Sequence, residues 1–241
     1  MDRPQTTRAF IDSLPPFKQF MAPLPTPRKG RAKRLLIAAT GSVATVKLPH
    51  ILQLLTDTYD SSTLEVAVLL TPNSIHFIHD TLLSLNCVKS GRVQIWTDEA
   101  EWTLWKKLGD PVLHIELRKW ADVLLIAPLS ANELSKLAVG SCEGLLSSVV
   151  RAWDFEPQSG EEEGYRKRVV VAPAMNTAMW RHPVTSKQLD VLRGWGFRVL
   201  PVERKLLACG DLGEGGMREW KTLVKEVSEV LELDTAPLDE K

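Results

Sequence analysis

Short, nearly unbroken apolar runs punctuate the chain: RLLIAAT at 34–40, LEVAVLLT at 64–71, ADVLLIAP at 121–128, RVVVAPA at 168–174 and FRVLPV at 197–202. Each is too short for a buried helix and rich in Val, Leu and Ile, so each predicts a strand covered on both faces. Between these runs the apolar positions change to helical spacing. Ala44, Leu48, Ile51 and Leu55 share one face after the first run, and 130–139, 144–153, 185–194 and 219–232 read as further helices. Strands alternating with helices predict a doubly wound α/β layer around a parallel sheet. Pro49 falls inside the first helix, where it removes an amide donor and crowds the preceding turn, so a kink or a restart is expected there.

The two ends do not share this pattern. Residues 1–33 are rich in proline and then in Lys and Arg, a composition that buries little surface, and predict a disordered tail ahead of one domain at 34–232. Residues 233–241 read as a short frayed tail, and the polar stretch DFEPQSGEEEGYRKR at 154–168 as a surface loop. Over the 241 residues, 30 basic side chains balance 30 acidic ones. Nothing global therefore draws the molecule to nucleic acid or an anionic membrane. No apolar run approaches the roughly 20 residues that span a bilayer. Three cysteines, Cys87, Cys142 and Cys209, lie far apart with no CxxC spacing. That argues against a disulfide framework and a zinc site, and for a reducing, cytoplasmic setting.

In a sheet of this kind ligands bind past the carboxyl ends of the strands, so the loops there carry the candidate chemistry. ATGSVAT at 39–45 brings small residues and a hydroxyl to a helix start, which suits a phosphate, though it is neither a P-loop nor GxGxxG and an ordinary turn reads the same. In APLSANELSKLAVG at 127–140, Ser130 is a natural helix cap. VAPAMNTAMW at 171–180 sets Asn176 between Met175 and Met179, where the amide needs a partner, a helix cap or a ligand. LLACGDLGEGGM at 206–217 places Cys209 in a glycine-rich stretch, open to three readings: buried thiol, redox partner, or loop-borne acid. In PVLHIELRKWADVLLIAP, Leu113, Leu117 and Trp120 share a helical face and leave His114 and Arg118 on another, as surface groups or as chemistry.

Taken in order, TGSVATVK, PVLHIELRKWADVLLIAPLSANELSKLAVG, APAMNTAMW and LACGDLGEGGM strongly resemble the phosphopantothenoylcysteine decarboxylases, within the flavin-dependent cysteine decarboxylases, from about Arg34 to about Trp220. The resemblance implies a flavodoxin-like, Rossmann-like fold, bound FMN, no metal, and a homotrimer with sites between subunits. It also implies the reaction: FMN-dependent oxidation of 4'-phosphopantothenoylcysteine to a thioaldehyde, loss of carbon dioxide, and reduction of the ene-thiol to 4'-phosphopantetheine in coenzyme A synthesis. Carried onto this chain, it assigns the flavin to Gly41, Ser42 and Val43, to Thr71, Ser74 and Phe77, to Ser130, Ala131 and Asn132, and to Ala174. Glu133 stands where the family often has threonine. His114 becomes the general base and Cys209 the acid of a substrate clamp, with Asn176 on the substrate carboxylate and Met179 and Asp211 beside it. Three relatives of different activity remain open: a peptidyl-cysteine decarboxylase, a phosphatase-regulating halotolerance protein that would bind a paralogue or a phosphatase, and a flavin prenyltransferase, which would leave the clamp unexplained.

Overall fold

The computed structural model describes residues 31–155, 167–206 and 212–239. The proline-rich segment before 31, the polar stretch 156–166, and 207–211 with Cys209 and Asp211 lie outside the described residues. Six strands, β1 (Lys33–Ala39), β2 (Leu64–Leu70), β3 (Val93–Thr97), β4 (Val123–Leu129), β5 (Arg168–Pro173) and β6 (Arg198–Val199), run parallel in the order β3-β2-β1-β4-β5-β6. The helices are α1 (Leu48–Thr58), α2 (Pro72–Ser84), α3 (Asn86–Lys89), α4 (Asp98–Leu104), α5 (Leu113–Trp120), α6 (Ala131–Ala138), α7 (Leu145–Arg151), α8 (Thr177–Arg181), α9 (Pro183–Gly194), α10 (Trp220–Val230) and α11 (Ala236–Asp239). The expected doubly wound, flavodoxin-like α/β layer is present.

The strands are apolar throughout because both faces are covered. Along β1, Leu35 and Ile37 point into a core shared with α1, α2 and α10, while Leu36 and Ala38 point into a second core shared with α5, α6, α7 and α9. All four are fully buried. From β1 the chain winds outward through β2 and β3, and from β4 it winds the other way through β5 and β6. The reversal opens a crevice beyond the carboxyl ends of β1 and β4, where such sheets hold ligands.

Several elements differ from the sequence pattern. Pro49 does mark a restart: a 3-10 turn over Val43–Lys47 gives way to α1, and Pro49 sits in the first turn, where its missing N–H leaves no bond unmade. The strand expected at 197–202 shrinks to the two residues of β6. After it the chain forms an antiparallel hairpin, β7 (Glu203–Leu206) with β8 (Leu212–Gly216), where the sequence reads as a glycine-rich loop. The last residues are not frayed through Asp239: α11 forms, the Tyr59 hydroxyl donates to the Asp234 carbonyl at 2.7 Å, and Lys225 pairs with Asp239. Among the described residues no helix is long and apolar enough to cross a membrane.

Candidate functional site

The loops at the crevice are bound to one another by Thr40. Its Oγ1 donates to the Pro128 carbonyl at 2.7 Å and accepts from the Ser130 N–H at 2.8 Å, so the ends of β1 and β4 are fixed together. The Thr45 hydroxyl returns to the Thr40 carbonyl at 2.8 Å and tightens the turn. At Gly41 a Cβ would stand 2.7 Å from the Cβ of Asn73, so only glycine lets the start of α2 approach this loop. The Val43 and Ala44 N–H groups at the 3-10 start, like the Ser42 hydroxyl, make no hydrogen bond among the described residues. Free donors at a helix start attract an anion.

From this turn a cavity of about 470 Å³ extends to the β5 loop and the hairpin. It brings together Ser42, Val43, Ala174 and Asn176 of the sequence-derived set. Asn176 is exposed and caps α8, its Oδ1 accepting from the Met179 N–H at 2.8 Å. The cap uses the oxygen and leaves the amide –NH2 free to donate. Its surroundings are therefore less apolar than the flanking methionines imply. Met179 is 53% exposed and does not line the cavity.

The opposite wall is one that sequence reasoning missed. Lys47, Lys205, Met217, Arg218 and Trp220 all face the cavity. Lys205 is held by Glu203 and by the Met217 carbonyl, and Arg218 by Glu226, whereas Lys47 makes no ion pair among the described residues. Lys47 was within reach of sequence reasoning, one turn past the first loop. The hairpin residues carried no such signal. β8 is fastened to the Asn176 loop: the Met175 N–H donates to the Gly215 carbonyl at 2.9 Å and the Thr177 hydroxyl to the Glu214 carbonyl at 3.0 Å.

Thr71, Ser74 and Phe77 lie at the neighbouring start of α2, outside this cavity. The Thr71 hydroxyl donates to the Ala39 carbonyl and that of Ser74 to the Thr71 carbonyl, while Phe77 packs against the core. Ser130, Ala131 and Asn132 open α6 across the crevice, also outside it. Ser130 and Glu133 are spaced as a reciprocal capping box, but only half of it forms. The Ser130 Oγ accepts from the Glu133 N–H at 3.2 Å, and Thr40 has already taken the Ser130 N–H. The released Glu133 carboxyl is buried, and that burial pushes it up to about 7, with nearby Lys136 opposing and Asp98 reinforcing. Burial also raises Asp98, against a hydrogen bond of 3.0 Å from the Leu145 N–H.

His114 is not part of the cavity wall. It opens α5, half-buried, with Nδ1 2.6 Å from Oε1 of Glu101 and its backbone N–H 3.1 Å from Oε2. In the segment between Glu101 and His114, Trp102, Trp105, Leu108 and Val112 are exposed, Trp102 by 82% and Leu108 by 95%. Among the described residues no cluster of His, Cys, Asp and Glu could hold a metal ion.

The profile of the flavoprotein family matches residues 23–232. A phosphopantothenoylcysteine decarboxylase of Arabidopsis thaliana is 46% identical over 194 residues, 80% of this chain and 81% of that protein. The Mus musculus phosphopantothenoylcysteine decarboxylase is 42% identical over 209 residues, 87% of this chain and 92% of its own. Among solved structures, a cysteine-to-serine PPC decarboxylase mutant complexed with pantothenoylaminoethenethiol superposes with a TM-score of 0.72 at 43% identity, covering 84% of this chain and all of that one. The FMN-binding protein AtHal3 superposes with a TM-score of 0.69 at 44% identity, over 84% of this chain and 98% of its own.

Proposed function

Given that this chain belongs to the flavoprotein family, as the match across residues 23–232 establishes, we propose that it is an FMN-dependent phosphopantothenoylcysteine decarboxylase. The observation that carries the reading is the cavity at the strand-order reversal, where a turn with open N–H donors, the Asn176 amide and a lysine with no ion pair among the described residues share one wall system. The turn fits the flavin phosphate: glycine permits the close approach of α2, and the Ser42 hydroxyl with the Val43 and Ala44 N–H groups supplies donors. Asn132, exposed at the start of α6, and Ala174 complete the flavin set, with Thr71 and Ser74 shaping the loop beneath through their backbone-directed hydroxyls. FMN, when bound, supplies the hydride chemistry that a protein side chain cannot.

The protein's own groups bind, orient and move protons. The Asn176 –NH2 holds the substrate carboxylate as a neutral donor, which secures it without the ground-state stabilisation a cation would add. Lys47, which makes no ion pair among the described residues, gives the cavity wall a cation suited to a phosphorylated substrate, beside Lys205 and Arg218, which Glu203 and Glu226 hold. His114 accepts a proton from the substrate at Nε2, and Cys209, three residues past β7, returns one to the intermediate. Because His114 lies off the cavity wall, the reading includes a homotrimer in which one subunit's His114 serves a neighbour's cavity. The exposed Trp102, Trp105, Leu108 and Val112 support it, being the surface such a contact would cover. A cytoplasmic location belongs to the same proposal and rests on the widely spaced cysteines.

The test is to incubate the purified yellow protein with 4'-phosphopantothenoylcysteine and follow the substrate mass. Loss of carbon dioxide is expected. An unchanged substrate, with FMN confirmed on the protein, would falsify the assignment.

A further inference from the structure

The geometry points to Glu101 as the positioning residue that sets the tautomer of His114, an inference that rests on the catalytic role just assigned to His114. The contact is bidentate: Oε1 meets the ring at Nδ1 over 2.6 Å, and Oε2 meets the backbone N–H of the same residue over 3.1 Å. A carboxylate held on two atoms of one residue cannot swing away without losing both bonds. Glu101 side-chain exposure is only 13% against 27% for the ring, so the acid is the more buried member of the pair.

The chemical consequence follows from what an ionised carboxylate can do. It accepts hydrogen bonds and donates none, so Nδ1 must carry the proton. In the neutral ring Nε2 is then the lone-pair nitrogen, with no other hydrogen-bond partner among the described residues. When Nε2 takes a proton from the substrate, the ring becomes an imidazolium with both nitrogens protonated. The Nδ1–H stays on Glu101, and the new positive charge stands beside a fixed negative one. Glu101 thus selects the basic nitrogen before reaction and steadies the charged ring after it, as carboxylate partners of imidazoles do in metal sites and catalytic triads. Glu101 reaches His114 from α4 across the turn between α4 and α5, so the pairing also decides which way the ring faces.

A purely structural role is the competing account, since Oε2 also satisfies a donor at the exposed start of α5. Glu101→Gln separates the two. Glutamine keeps a carbonyl oxygen for the backbone N–H, but its –NH2 now donates to Nδ1 and drives the ring proton to Nε2. The holoenzyme of this variant is expected to keep its FMN absorbance and melting temperature and to leave KM within about threefold, while kcat falls by about 100-fold. Nitrogen-15 NMR of the histidine-labelled protein, without substrate, should show His114 change from the Nδ1–H to the Nε2–H form. Glu101→Asp, which shortens the reach but keeps the acceptor, should restore the Nδ1–H form and at least a tenth of the lost rate. If Glu101→Gln turns over normally, or if the His114 ring shifts are the same in both proteins, Glu101 does not set the tautomer. The nitrogen shifts read the pairing without substrate, so they decide it even where the decarboxylase assignment fails; loss of turnover in the unmutated protein bears on that assignment alone.

Discussion

Glu133 shows how a single displaced hydrogen bond creates a titrating group. Its carboxyl makes no hydrogen bond among the described residues because Thr40, and not Glu133, satisfies the Ser130 N–H, and burial then favours the protonated form. A folded-state value near 7 against an ordinary 4.5 means that the native state holds the proton more tightly than the unfolded chain. The stabilisation is fully present below about 4.5 and is lost as pH rises through about 7, amounting to something on the order of 3 kcal/mol. Glu133→Gln should therefore melt at nearly the same temperature at pH 5 and pH 8, where the parent loses stability at the higher pH. An unchanged pH slope in the variant would show that the carboxyl is already ionised at pH 5. Thr40 carries a second expectation. Thr40→Val keeps the shape but strands the Ser130 N–H and the Pro128 carbonyl, both inside the crevice. A loss of about 2 kcal/mol in denaturant unfolding is expected, with weakened FMN retention because the β1 and β4 loops are no longer joined.

The hairpin of β7 and β8 is the element with the least strand-like sequence and the tightest steric demands. At Gly215, φ is +111° and a Cβ would stand 2.4 Å from the Met175 carbonyl oxygen. At Gly213 the added carbon would meet the Thr177 hydroxyl at 2.0 Å. These glycines let β8 lie directly against the Asn176 loop, so that the cavity has a wall. Gly215→Ala should cost roughly 1–3 kcal/mol through its backbone strain alone and raise KM more than it lowers kcat, because it displaces the hairpin from Asn176. Steady-state kinetics decide the matter: an unchanged KM would mean that the hairpin does not shape substrate binding. The same logic at the first loop predicts that Gly41→Ala purifies with reduced flavin absorbance, since the new carbon forces Asn73 and the start of α2 away.

For the whole molecule, the separation of His114 from the Asn176 cavity is the decisive feature. Trp102, Trp105, Leu108 and Val112, all exposed, lie in the segment that runs from Glu101 to His114, so association through that segment would also bring the imidazole to another subunit. Under the proposed homotrimer, changing Trp102 and Leu108 together to glutamate should shift sedimentation from trimer to monomer and abolish turnover. A trimer that persists with full activity would place the subunit contact elsewhere. These two side chains sit at 82% and 95% exposure, so their replacement leaves the core intact and the outcome reads association, not folding.

The α/β layer was legible because a strand buried on both faces admits only apolar residues, and runs such as 121–128 state that locally. The tight turn after β1 and the Ser130 cap were legible for a similar reason: a glycine with a hydroxyl beside a helix start is a short-range signal. The hairpin was not, since its place is dictated by how closely β8 must approach Met175 and Thr177, residues remote from it in sequence. β3 escaped notice because VQIWT is short and mixes Gln and Thr into an edge strand. Spacing along the chain could name His114 and Asn176 but could not say that one stands off the other's cavity, nor that Glu101 grips the imidazole. Periodicity and turn chemistry are properties of neighbours in sequence and were fixed there. Which loops meet, which carboxyl is left without a partner and which nitrogen carries a proton depend on distances between remote segments, and only the folded chain sets those.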